Sequence, residues 1–228
     1  MAILTNTQIK HGYYEAGVLP ASDRWKSYVQ LKDYKGEDKI TVACTQLDYL
    51  FLTEREKKRI LNEWIDFFKT NTKALKALNF CSRVPQALFD AACSQENLEE
   101  LYLKWGTYKD LSPLRLLPKL KFLHVGSGAG VESLAPLDEL KSLVVLSIEN
   151  FKKIEDYSPL SDLDNLEQLY IHSSILVRIY MNDLEFLRDM QNLLSFGMGD
   201  VTFRNKYTKA ELKKFAADLP NIHFINWE

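Results

Sequence analysis

The chain has 228 residues, 46% apolar and 26% charged, with a formal net charge of −2. That suits one elongated domain with a cap and a core of its own, and the near-neutral balance argues against nucleic acid, which selects a basic face. The three cysteines, at 44, 81 and 93, have no metal-type spacing, no charged-then-apolar leader opens the sequence, and no apolar run is long enough for a bilayer. A reducing, cytoplasmic setting away from membranes is therefore expected.

The first dozen residues show little pattern and are expected to be loosely held. The segment around Trp25 to Leu31 and the β-rich stretch Ile40 to Leu52 read as a strand or hairpin pair, with Gly36-Glu-Asp38 as the turn. Thr53-Glu-Arg-Glu56 is a capping box at the head of a helix running to about Lys69. Ile60, Leu61, Trp64, Ile65 and Phe68 form its apolar stripe, which is expected to pack on the body that follows. Residues 1–74 contain no repeat and are assigned to an N-terminal α+β cap.

A repeat then begins. Leu98-x-x-Leu101-x-Leu103 returns as Leu120-x-x-Leu123-x-Val125, Leu143-x-x-Leu146-x-Ile148 and Leu166-x-x-Leu169-x-Ile171, at spacings of 22, 23 and 23. Periods of this length mark stacked units rather than one folded ball. Within a unit the last two apolar positions are two apart, as on one side of a strand. The return segments Tyr108 to Leu120, Val131 to Leu143 and Ile154 to Leu166 instead carry apolar residues every third position, with Pro113, Pro136 and Pro159 at matching places. That period suits short 3₁₀ turns, and proline favours turn starts over long helices.

The pattern extends both ways. Leu75-x-x-Leu78-x-Phe80 precedes the repeat, and its return from Pro85 to Cys93 reads as a helix with Leu88, Phe89 and Ala92 on one side. Downstream come Leu193-x-x-Phe196-x-Met198 and Ile222-x-x-Ile225-x-Trp227. Between them, Thr208 to Asp218 reads as a helix with Thr208 as cap and Glu211 three residues on. An insertion falls between His172 and Asp183. Residues 75–228 are thus assigned to a solenoid whose last unit caps it.

This pattern resembles the leucine-rich repeat family, in its short internalin-like or phosphatase-regulator-like style. The resemblance covers roughly residues 75 to 228. It implies an α/β solenoid, a right-handed β-α superhelix with about seven parallel strands and an N-terminal helical cap, and a non-enzymatic scaffold that binds protein through its concave sheet. One departure stands out. Where the family places an asparagine after each strand, this chain has Gly106, Gly128, Phe151 and Ser174, so the turn must satisfy its backbone another way.

Strand residues between the buried leucines face the opposite side and form rows across the repeats. The central row reads Asn79, Tyr102, His124, Ser147, Tyr170, Gly197, Asn226. The row before it holds Glu100, Phe122, Val145 and Gln168; the row after it holds Cys81, Lys104, Gly126, Glu149 and His172. These positions escape the packing demand of the repeat. Glu100, Tyr102, Lys104, Phe122, His124, Glu149, Gln168, Tyr170 and His172, with Trp105 at the rim, form an aromatic patch with a polar fringe, suited to a protein partner. Cross-strand packing between neighbours on an exposed sheet explains some of the same residues. Gly197 and Gly199 leave the wall low, which either makes room for a partner's side chain or reflects a tight turn. The insertion at 172–183 is a second candidate surface, or packs over the solenoid.

The expectation is a cytoplasmic recognition scaffold, monomeric when free, that binds another protein, with no cofactor, no nucleic acid and no membrane. A narrower version is an immunity-like inhibitor that masks a toxin or enzyme. The contrasting reading is a metal-dependent or other enzyme around His124, Glu149 and His172. Strand spacing puts those two histidines roughly 10 Å apart, and no ligand-spacing motif supports the site. No nucleophile elbow is present, and Gly126-Ser-Gly-Ala-Gly130 lacks the lysine pair of a phosphate loop.

Overall fold

A computed structural model describes residues 2–14, 25–174, 176–204, 207–219, 221–222 and 224–226. Its central feature is one parallel sheet. In chain order the strands are β1 (Ser27–Tyr28), β2 (Lys39–Val42), β3 (Ala77–Val84), β4 (Glu100–Gly106), β5 (Phe122–Val125), β6 (Val145–Glu149), β7 (Gln168–His172), β8 (Ile179–Met181), β9 (Ser195–Gly199), β10 (Val201–Phe203) and β11 (Phe224–Asn226). Among the described residues the main sheet has nine strands, in the order β1-β2-β3-β4-β5-β6-β7-β9-β11, and β8 pairs with β10 in a separate parallel ribbon. This is the leucine-rich repeat solenoid, and the seven expected strands are β3 to β7, β9 and β11.

The sheet runs further than the repeat does. β1 and β2 continue it at the N-terminal side, with Ser27 opposite Thr41 and Ile40 opposite Leu78. They are parallel, so of the expected strand or hairpin pair the strand pairing is there and the hairpin is not. The chain leaves β1, passes through a 3₁₀ turn at Leu31–Asp33 and a positive-φ Gly36, and re-enters the sheet in the same direction. Helix α2 (Glu54–Thr70) closes over this end, headed by the Thr53–Glu56 capping box. Ile60, Trp64 and Phe68 are fully buried, and the Trp64 indole N–H donates to the Val29 carbonyl at 2.8 Å. Trp64 thereby ties the helix to the sheet with both its apolar body and its polar tip.

Register follows the repeat. Leu101, Leu123, Leu146 and Leu169 lie opposite one another, and all are fully buried. The returns are 3₁₀ turns at Ser112–Leu116, Ala135–Leu137, Ser158–Asp162 and Glu185–Arg188, the first three with proline in the opening positions. Two returns are helical: α3 (Gln86–Ala92) after β3 and α4 (Lys209–Ala217) before β11. Leu88, Phe89 and Ala92 are buried as expected, and α4 carries the Thr208–Glu211 capping box.

The missing asparagine positions are answered locally. Phe151 is buried and lies so close to Gly128 that a Cβ there would sit 2.3 Å from its ring. One residue earlier, Asn150 adopts φ 60° and its side-chain oxygen accepts the Ser174 N–H at 2.7 Å. The insertion after β7 packs rather than projects: Ile179 and Met181 are fully buried in the β8–β10 ribbon, although Leu176 is 90% exposed. Ile175, Trp227 and Glu228 lie outside the described residues. Among the described residues no helix is long and apolar enough to cross a membrane.

Candidate functional site

The expected rows exist. Asn79, Tyr102, His124, Ser147, Tyr170 and Gly197 lie opposite one another across β3 to β9. Glu100, Phe122, Val145, Gln168 and Ser195 form the row before. The third row is shorter. Glu149 pairs with His172, but the register of β3 against β4 shifts between Phe80 and Arg83, so Cys81 does not pair with Lys104. The shift brings Arg83 opposite Trp105, and the guanidinium lies 4.6 Å from the indole centre.

The wall is not bare. Residues 2–14, which are expected to be loosely held, lie across it. Helix α1 (Asn6–His11) starts at a capping box, with Thr5 taking the Gln8 N–H and Gln8 reaching back to the Thr5 N–H. Leu4 and Ile9 are buried against Val144 and Val145. The N–H groups of Ile3 and Leu4 donate to the two carboxylate oxygens of Glu167, at 2.6 and 2.8 Å. At the other end of α1, the Gln168 amide uses both its functions. Its oxygen accepts the Tyr13 N–H at 2.6 Å, and its nitrogen donates to the Gln8 carbonyl at 3.0 Å. These bonds engage the backbone of the arm.

Two tyrosines of the arm use the wall's aromatic residues. Tyr13 stacks on Phe122, with ring centres 4.3 Å apart and planes 7° apart, and its hydroxyl donates to Glu100 at 3.2 Å. Tyr14 meets Tyr102 edge-on at 5.5 Å and His124 at 5.6 Å. Tyr102 and His124 are themselves stacked at 4.2 Å. Such offset and edge contacts are the favourable geometries for aromatic pairs. Ordering a chain residue costs about 1–2 kcal/mol, so no one of these contacts could hold the arm alone.

His124 thus differs from the exposed polar residue its position implies. It is 7% exposed, and its Nδ1 lies 2.9 Å from the Ser147 hydroxyl. Burial, reinforced by the nearby His172, pushes its pKa down to about 3, so the imidazole is neutral at pH 7. Among the described residues no three His, Cys, Asp or Glu side chains gather as a metal-ligand group, and Glu149 spends one oxygen on the Asn150 amide at 3.0 Å. Gly197 does not leave a vacancy for a partner. A Cβ there would sit 2.3 Å from the Tyr170 ring, so its own neighbour already fills the space.

Arm and wall together enclose a cleft of about 1060 Å³. Lys10, His11 and Gly12 line one side, and Tyr102, Lys104, Trp105, Glu149, Tyr170 and His172 line the sheet side. The ten candidate residues therefore fall into two groups. Glu100, Phe122, His124 and Gln168 lie directly under the arm, Glu100 and Gln168 through hydrogen bonds and the two rings through aromatic contacts. Lys104 is exposed, and Trp105, Glu149, Tyr170 and His172 are half-buried around the cleft. Tyr102 also meets the arm, and His124 and Gln168 also line the cleft. The pieces that sequence reasoning missed are Glu167 and Tyr13–Tyr14. Only the Thr5-x-x-Gln8 spacing signalled order in the arm.

Neither a protein-family model nor a curated protein matches the sequence. Solved structures do. Internalin C2 from Listeria monocytogenes aligns over 68% of this chain and 62% of its own, with a TM-score of 0.51 and 21% identity. A plant peptide hormone receptor, RGFR1, in complex with RGF2 aligns over 72% of this chain, with a TM-score of 0.51 and 13% identity. This chain spans 62% of the internalin and 26% of the receptor. At these identities the likeness concerns architecture, and the fold is that of a leucine-rich repeat protein.

Proposed function

We propose that this protein is a non-enzymatic recognition scaffold that binds another protein along its concave wall. The observation that carries this is the cleft of about 1060 Å³ between arm and sheet, bordered by aromatic and charged side chains at positions the repeat does not need for packing. Lys104, Trp105, Glu149, Tyr170 and His172 are the contact residues of this reading. Aromatic anchors inside a polar rim are the usual makings of an interface hot spot. The structurally similar plant receptor is seen in complex with RGF2, which fits a solenoid used for ligand capture. Cys44, Cys81 and Cys93 are free thiols, consistent with a reducing cytoplasmic setting.

The test is affinity capture of the partner with wild type, with Lys104→Glu/Trp105→Ala, and with Leu116→Ala. Leu116 is 59% exposed in a return turn and serves as the control. Loss of the partner in the wall variant alone supports the reading. Equal capture by all three removes the concave wall from the interface.

A further inference from the structure

The arm shows what the wall accepts. Its attachments combine three chemistries: paired backbone N–H groups on the Glu167 carboxylate, a backbone N–H and carbonyl clamped by the Gln168 amide, and an aromatic pair seated on Phe122, Tyr102 and His124. The first two read main chain, which any polypeptide offers. The third selects aromatic side chains. Every anchor on the wall comes from the solenoid, more than 80 residues away in sequence. The wall is thus a receptor, and the arm a peptide seated on it.

The seat also explains why the arm need not be permanent. Ile3 is 59% exposed, and the arm's apolar contacts with the wall form a small cluster separate from the main leucine core, with Leu4, Ile9, Val144 and Val145 buried and Tyr13, Tyr14, Phe122 and Leu194 only partly so. A segment with few buried apolar contacts belongs to the low-stability end of a fold and opens independently of it. Being part of the same chain, it competes with incoming ligands at high effective concentration.

We infer that the concave wall is a peptide-recognition groove occupied by its own N-terminal arm, and that a partner segment carrying adjacent aromatic residues binds by displacing residues 2–14. This rests on the concave-wall reading above and adds the partner's chemistry and the step that exposes the surface.

The probe is a fluorescent synthetic peptide with the sequence of residues 2–14, measured by anisotropy against the full chain. Tyr13→Ser/Tyr14→Ser weakens the resident arm and is expected to bind the peptide at least tenfold more tightly than wild type. Adding Gln168→Ala should abolish that gain, and a peptide with both tyrosines replaced by serine should not bind. A second measurement needs no variant: saturating peptide on wild type should speed hydrogen exchange at the Ile3 and Leu4 amides. Absence of peptide binding to the arm-weakened chain, or unchanged exchange at those amides under saturating peptide, overturns the inference. A dimer that dissolves on adding peptide would assign the groove to a second copy's arm and overturn it too. The two readings fail separately. A partner that needs Trp105 but ignores the peptide leaves the scaffold standing without the displacement step. Peptide exchange with no effect of the wall variants on partner capture does the reverse.

Discussion

On the inner side of the sheet, Leu101, Leu123, Leu146 and Leu169 stand in register and are all fully buried. On the outer side of the same strands, Tyr102, His124, Ser147 and Tyr170 stand in equally strict register, yet His124 and Ser147 are buried while the two tyrosines are half-exposed. Strand geometry made both rows. What differs is the cover. The inner row is covered by its own repeat, whose spacing compels it. In the outer row Tyr102 and His124 are covered by a distant segment, held by hydrogen bonds and ring contacts of a kind another chain can also offer, while Tyr170 borders the cleft. One side of the strand builds the molecule, and the other side carries the proposed recognition surface.

That contrast can be broken from the inside first. Leu146→Ala empties a fully buried site on the middle strand and is expected to cost about 2–5 kcal/mol of global stability, read by denaturant melts. A loss below about 1 kcal/mol would mean that the rungs are not packed as described. Gly197→Ala tests the wall at its tightest point. Its Cβ would meet the Tyr170 ring at 2.3 Å, and the ring must swing away at a cost of about 1–3 kcal/mol. Tyr170 ring resonances should shift and arm contacts should not.

The buried imidazole sharpens the comparison by pH. His124 is neutral when folded because burial holds its pKa near 3, whereas in the unfolded chain it titrates near 6.5. The unfolded state therefore binds the extra proton first as pH falls. Its contribution is fully present above about pH 6.5 and drains away toward pH 3, at about 1.4 kcal/mol per pH unit. His124→Gln should remove this part of the acid sensitivity, and identical pH profiles would show that His124 is exposed. The smallest global effect belongs to Glu167→Ala. It deletes the acceptor for the Ile3 and Leu4 amides, so those amides should exchange faster while the melting of the solenoid hardly moves.

The rungs were legible because their information is local: each leucine is specified by neighbours two or three positions away, and the pattern repeats. The same held for α2 and α4, whose capping boxes and stripes lie within single helices. The arm was not legible, since Tyr13 finds Phe122 and Leu4 finds Glu167 163 residues away, and no periodicity encodes that meeting. Tyr102, Phe122 and His124 could be placed on the wall from spacing alone, but the identity of their cover could not. β1 and β2 failed for a related reason: Gly36 was read as the centre of a hairpin turn, whereas the turn lies at Leu31–Asp33 and the chain then runs through an irregular stretch that returns parallel. The slip between β3 and β4 is likewise a bulge that alternation does not announce.

The central claim, that residues 2–14 lie on the concave wall, is tested most directly by nuclear Overhauser contacts between the Tyr13 and Phe122 rings. With ring centres 4.3 Å apart, strong cross-peaks are expected between them, accompanied by upfield-shifted ring protons on both. Sharp, unshifted Tyr13 and Tyr14 signals without a cross-peak to Phe122 would contradict the account.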